Sequence, residues 1–168
     1  MQRFFQMGFG YNAWANRRLY DAVAPLDDDE RSRDLGAFFK SITGTLNHLI
    51  VADTIWLDRI EGRIAGFTRL DACPFPDFTE LRAVRADLDA RLIALAGGLD
   101  LEQLEAPLYF TTTAGVPRAQ PLASVLAHVV NHQTHHRGQT TDLLSRLGRE
   151  TPVLDMQVYQ NEAGDFGI

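Results

Sequence analysis

The chain has 168 residues, of which 45% are hydrophobic and 23% charged, and we expect a single globular domain over residues 1–168. A formal net charge of −6 argues against nucleic acid as a partner, because phosphate binding needs a basic patch. The lone Cys73 cannot form an internal disulfide, and neither a signal peptide nor a bilayer-spanning run is visible, so we expect a cytoplasmic protein without a membrane partner.

Helical spacing of apolar residues predicts two long helices in the first part of the chain. The first runs from about Arg3 to Val23, where Pro25 and the aspartates at 27–29 are expected to end it. The second runs from near Lys40 to Ile60 and stops at Gly62. Both carry enough apolar positions along one side to pack against other helices.

A third helix is predicted to start after Phe78, with Thr79 as its cap, and to end at Gly97-Gly98. The pattern then changes to strand formers over residues 108–112, followed by a turn at Ala114-Gly115. Prolines after that turn restrict the next segment to a short edge element. These features predict a small β-hairpin before the last helix.

The final long helix is predicted from about Pro121 to Leu147, and the residues from Thr151 onward are expected to form a tail packed over the helices. Four long amphipathic helices in a chain of this size indicate an all-α four-helix bundle with a small β-hairpin before the last helix. The segment between the second and third helices, and the hairpin, leave room for a crossover connection. The order of the helices in space stays open.

Histidines are concentrated in the last helix, which carries His128, His132, His135 and His136, while His48 lies alone in the second helix. Residues four apart share one helix face, so an H-x-x-x-H pair can reach one ion. At about 100° per residue, His136 falls about 40° from the centre of the apolar stripe and His132 about 80°. His128 and His135 fall about 120° and 140° away. We therefore expect His132 and His136 to point into the bundle.

A third ligand has to come from another helix. Three histidines spaced by four would span about 12 Å along the axis, too far for metal–nitrogen bonds of about 2.0–2.1 Å. His48 is the remaining histidine, and it lies beside the apolar arc of its helix. Histidines that bind no metal are the alternative; because the polar pair interrupts an apolar stripe, we favour a divalent transition metal.

Three stretches of the chain resemble the DinB family, a superfamily that includes YfiT-like hydrolases and thiol-dependent S-transferases. They are Tyr-Asn-Ala-Trp-Ala-Asn at 11–16, Thr-Leu-Asn-His-Leu-Ile-Val-Ala-Asp at 45–53, and Asn-His-Gln-Thr-His-His-Arg-Gly-Gln at 131–139. The resemblance implies a four-helix bundle with an unusual helix order, often a homodimer. It also implies zinc or nickel on three histidines, which map onto His48, His132 and His136.

The resemblance further implies a small-molecule substrate, with transfer of a low-molecular-weight thiol or metal-dependent hydrolysis as the activity. Two alternatives stay open: a non-catalytic, damage-inducible metal-binding protein, and a dimeric bundle whose metal only joins helices. The His-Gln-Thr-His-His stretch lacks the glutamate base of zincin proteases, which argues against peptidase activity.

Three further side chains are candidates for positioning the ligand histidines: Asp53, Asn12 and Gln139. Asp53 lies near the middle of the apolar arc of its helix, and a buried carboxylate needs a partner. It could orient a ligand histidine or be a fourth ligand. A hydrogen bond to another helix is the favoured interpretation for Asp53, and a purely structural role is favoured for the other two.

Overall fold

The computed structural model describes residues 1–167, which form seven helices and one two-stranded hairpin. The helices are α1 (Gln2–Val23), α2 (Asp28–Ser32), α3 (Ile42–Ile60), α4 (Phe78–Gly98), α5 (Leu101–Glu105), α6 (Leu122–Arg146) and α7 (Met156–Ala163). The hairpin pairs β1 (Pro107–Thr111) with β2 (Pro117–Pro121) in antiparallel fashion. The predicted fold class, a four-helix bundle with a hairpin before its last long helix, is confirmed.

The four long helices are not arranged in chain order. α1 packs mainly against α4 and α6, and α3 packs mainly against the same two helices. Going around the bundle, the order is therefore α1, α4, α3, α6. The two crossing connections join α1 to α3 and α4 to α6. Of the two segments with room for a crossover, the one that contains the hairpin crosses the bundle from α4 to α6, whereas residues 61–77 join the neighbouring helices α3 and α4.

The starts of α3 and α4 follow from side-chain caps. Ser41 caps α3 by accepting a hydrogen bond from the Gly44 amide at 3.1 Å. The expected cap of α4, Thr79, is wrong: Asp77 accepts from the Glu80 amide at 2.8 Å, so the helix starts at Phe78. Asp77 lies just before the apolar pattern that predicts the helix, and aspartate is among the strongest N-cap residues.

Short helices replace three segments expected to be irregular. Asp27 does not simply end α1 but starts α2, where it forms a capping box with Glu30. Asp100 and Gln103 form a second capping box at the start of α5. The expected tail contains α7, which packs on α1 through Tyr159.

Apolar side chains from all four long helices form one continuous core, to which α1 contributes Leu19, α3 Ile50, α4 Leu88 and α6 Leu126. A smaller cluster under α7 joins Tyr159 to Tyr11 and Trp14 of α1. Burial of these faces is the main source of stability for helices of this length. Within residues 1–167, no helix combines the length and apolar character that a membrane span requires.

Candidate metal centre

Three histidine side chains from two helices converge on one point inside the bundle. The Nε2 atom of His132 on α6 lies 3.2 Å from Nε2 of His48 on α3 and 3.1 Å from Nε2 of His136. All three ligand atoms lie within 4.8 Å of one another. Nitrogens that share one ion at about 2.0–2.1 Å, with angles of about 90–109°, lie about 2.8–3.4 Å apart. The spacing along α6 and across to α3 therefore fits a metal ion.

Hydrogen bonds fix the orientation of two of the rings. Nδ1 of His48 lies 2.8 Å from the carbonyl oxygen of Leu70, and Nδ1 of His136 lies 2.7 Å from Oε1 of Gln139. Since these oxygens only accept, each Nδ1 carries the proton and each Nε2 presents a lone pair. Nε2 of His132 faces both of these lone pairs. It carries at most one proton, so it can donate a hydrogen bond to only one of them. A cation at the centre satisfies all three nitrogens at once.

The surroundings keep the three imidazoles neutral. Burial, together with the neighbouring histidines, lowers the pKa of His132 to about 3. Burial also lowers the pKa of His136 to about 4, against the opposing effect of the hydrogen bond that this ring donates to Gln139, and it lowers the pKa of His48. A metal binds the neutral imidazole, so no proton has to be removed from His132 or His136 at pH 7.

The four histidines of α6 differ in exposure in the order that their helical angles predict. His136 is buried and His132 is half-buried, whereas His128 and His135 are exposed. The structure therefore brings His132 and His136 to His48 and leaves the other two outside the cluster. His135 instead lies 3.2 Å from the amide nitrogen of Gln139.

Comparison with known proteins identifies relatives of this chain. The profile of the DinB family matches residues 1–165. The chain belongs to the DinB family. Protein DinB of Bacillus subtilis strain 168 is 25% identical over 156 residues, which is 90% of each chain. A crystal structure of a DinB-like protein from Bacillus cereus ATCC 10987 shares the fold with a TM-score of 0.68 at 22% identity, covering 89% of this chain and 94% of that one.

In this DinB chain, an aromatic residue that the sequence pattern did not single out packs on the histidines. The ring of Phe39 stacks on His48 with centroids 3.9 Å apart and meets His136 edge-on at 5.7 Å. Gly44 allows this approach, because a Cβ atom there would collide with the Phe39 carbonyl oxygen. Phe39 lies in the turn before α3, where no helical periodicity indicates the direction of a side chain.

Two of the three candidate positioning residues lie away from the histidines. Asp53 accepts hydrogen bonds from Arg85 at 2.6 Å and from Gln133 at 2.9 Å. Asn12 accepts one from Arg137 at 2.7 Å. Within residues 1–167 neither makes a hydrogen bond to a histidine, so only Gln139 of the three candidates contacts a member of the cluster. Asp53 instead links α3 to α4 and α6. The favoured interpretation of this carboxylate was a hydrogen bond to another helix, and the structure shows such bonds.

These residues belong to a buried polar network that joins all four long helices. Asn16 of α1 donates to Asp89 of α4 at 2.9 Å and to Gln133 of α6 at 3.0 Å. Burial opposes the charge of Arg85, but Asp89 and Asp53 hold its pKa above the usual range. Burial raises the pKa of Asp53 to about 6 in spite of Arg85, which leaves this carboxyl ionised at pH 7. The bundle interior therefore contains a charged, specifically paired layer.

The network fixes the rotation of α6 next to the histidines. Gln133 directly follows His132, and Arg137 directly follows His136; both are buried. Sequence reasoning missed this second polar face, although Gln133, Arg137 and Thr140 recur at steps of four and three residues, the spacing of one helix face. That periodicity was the available signal.

Gln139 offers a test of how the ring of His136 is held. Replacing Gln139 with alanine removes the acceptor for Nδ1–H, and we expect metal affinity to fall by about 10–100-fold. Gln139→Glu, which restores an acceptor oxygen, is expected to bind at least as tightly as the wild type. Competition with a chromogenic zinc chelator measures both affinities. Unchanged affinity in the alanine variant would show that this hydrogen bond does not support a ligand.

Proposed function

We propose that this DinB chain binds zinc or nickel through His48, His132 and His136 and is a metal-dependent enzyme that acts on a small molecule. The observation that carries the proposal is the convergence of three Nε2 atoms, two of them held as lone-pair donors by protonated Nδ1 atoms. Imidazole nitrogens suit divalent zinc and nickel. The buried polar network supports this role because it holds α6 in one rotation.

The number of ligands favours catalysis over a purely structural ion. Among residues 1–167, the group that can hold a metal contains these three histidines and no carboxylate or thiolate. Structural zinc sites have four protein ligands, whereas catalytic sites keep a position for water or substrate. A cleft that reaches His48 and His132 gives a small molecule access to that position.

The residues around the histidines favour a thiol nucleophile over peptide hydrolysis. A metal at such a site lowers the pKa of a bound thiol or water towards neutrality. Gln133, which lies where zincin proteases carry a glutamate base, is buried and directs its amide to Asn16 and Asp53. Gln133 has no basic group that could take a proton from a water molecule. A thiol, which ionises more easily, has less need of one.

The proposed activity is tested with untagged protein, since an affinity tag can introduce nickel. We expect bound metal and a thiol-dependent turnover of chlorinated or epoxide electrophiles in the wild type and in His135→Ala. We expect no turnover above background in His132→Ala. Product formation followed by mass spectrometry, with thiol omitted as a control, measures this.

If metal-replete protein turns over none of several thiols and esters, the enzyme proposal is rejected. A metal that still raises the melting temperature would then indicate a purely structural ion.

A further inference from the structure

A cavity of about 590 Å³ opens beside the histidine cluster. We call it the cationic cleft and define it by Trp56 and Arg59 of α3, Phe110 and Arg118 of the hairpin, and His128 of α6. Its volume lies in the range of small-molecule binding sites, about 300–1,000 Å³. His48 and His132 form part of its lining, so a ligand in the cleft reaches the ligand histidines.

One wall of the cationic cleft is aromatic. The rings of Trp56 and Phe110 meet edge-to-face with centroids 5.1 Å apart, and the centroid of the His128 ring lies 5.4 Å from that of Trp56. Phe110 and Arg118 are paired across the two strands, and residues opposite each other on a hairpin share one face,. The hairpin therefore adds both an apolar and a cationic group to the same side of the cleft. A flat apolar molecule fits such a wall.

The charge of the cleft is positive, although the whole chain is acidic. No carboxylate of residues 1–167 lies within 4.0 Å of Arg59 or Arg118, and no aspartate or glutamate lines the cavity. Among the hydrogen bonds of residues 1–167, Arg118 donates only to the carbonyl oxygen of its neighbour Pro117. Its other guanidinium N–H groups are therefore free to bind an anionic ligand.

Arg59 also has a structural role that does not depend on a ligand. Its guanidinium lies 4.7 Å from the Trp56 ring and 5.1 Å from the Phe110 ring, and it donates to the Thr111 carbonyl at 2.8 Å. These contacts hold the hairpin against α3. They also take water away from the guanidinium, and this burial lowers the pKa of Arg59. A partly desolvated cation interacts more strongly with an anion than an exposed one does.

We propose that the cationic cleft binds a substrate with a flat apolar body and a carboxylate, the body lying on Trp56 and Phe110 and the carboxylate on Arg118 and Arg59. Bound this way, the far end of the molecule points to His48 and His132. The role of the cleft in turnover rests on the proposed function, but binding of the carboxylate does not. Guanidinium groups match carboxylates in geometry and charge.

The test uses 4-nitrobenzoate as the probe and the neutral 4-nitrobenzyl alcohol as its matched control. The chain has two tryptophans, so Trp14→Phe leaves Trp56 as the sole tryptophan, whose fluorescence a nitroaromatic ring in the cleft quenches. In this background we expect saturable quenching by the carboxylate and at least about tenfold weaker binding of the alcohol. Arg118→Gln should weaken carboxylate binding about tenfold and leave alcohol binding unchanged.

Two control variants separate this proposal from others. Arg3→Gln removes an exposed arginine of α1 outside the cleft, and it should not change the affinity for 4-nitrobenzoate. His132→Ala should retain the preference for the carboxylate, which shows that the probe is held by the arginines and not by the metal. Equal binding of acid and alcohol, or an Arg118→Gln variant with unchanged affinity, would overturn the proposal. Such a result would not reject the proposed enzymatic activity, because turnover is measured in a separate assay.

Discussion

Replacing His132 or His136 with alanine is expected to abolish stoichiometric zinc or nickel binding. Each change removes one of three nitrogens that converge within 4.8 Å, and no carboxylate or thiolate of residues 1–167 is placed to substitute for it. The loss should exceed the roughly 10–100-fold effect of removing a supporting hydrogen bond. Metal content of untagged, dialysed protein measured by mass spectrometry checks the stoichiometry.

His135→Ala is the matched control for both variants. His135 lies on the same helix, directly before His136, and its ring packs edge-on against that of His136 with centroids 4.8 Å apart. It is exposed, and the three converging ligand nitrogens belong to other histidines. We expect this variant to retain its metal with at most a small loss of affinity. Equal loss of metal in all three variants would contradict the assignment of His132 and His136 to the interior face.

Replacing Arg85 with leucine is expected to lower the free energy of unfolding by about 3–5 kcal/mol, the usual effect of removing one partner from a buried ion pair. Arg85 is paired with Asp53 at 2.6 Å and with Asp89 at 2.9 Å, and its side chain is buried. Without the guanidinium, Asp53 keeps only the amide of Gln133 as a donor. Urea denaturation at pH 7, with the metal content held constant, measures the difference.

Arg91→Leu provides the comparison for this measurement. Arg91 lies on the same helix and pairs with Glu61 at 3.3 Å, but both side chains are about one-third exposed. Exposed pairs contribute about 0–1 kcal/mol. If Arg85→Leu is as stable as Arg91→Leu, the buried network does not stabilise the bundle in the way described.

The long helices and one face of the site were predictable because they depend on local periodicity. The angles of His132 and His136 relative to the apolar stripe need only the geometry of one helix, and the structure places both rings accordingly. The short helices also carried local signals that were overlooked. The Asp27–Glu30 and Asp100–Gln103 pairs are capping boxes that can be recognised from spacing alone.

Other parts of the site depend on contacts between distant segments. His48 is buried because residues 61–77 fold over it and bring the Leu70 carbonyl to its Nδ1 atom, and this loop has no periodicity to place it. Arg137 carries a charge that favours solvent, yet it is buried because Asn12 and Gln133 accept its hydrogen bonds. Only the spatial order of the helices, which local sequence does not encode, brings those partners together.

The non-sequential helix order also affects when the molecule becomes complete during synthesis on the ribosome. α1 is flanked by α4 and α6, so the first helix to emerge lacks its principal neighbours until the second half of the chain is made. The contact between His48 and His132 likewise forms only after His132, 84 positions later in the chain, has been made. Proteins rich in such distant pairings fold more slowly than those whose contacts are local. Under the proposed function, metal capture is therefore a late event that follows translation of both histidines of α6.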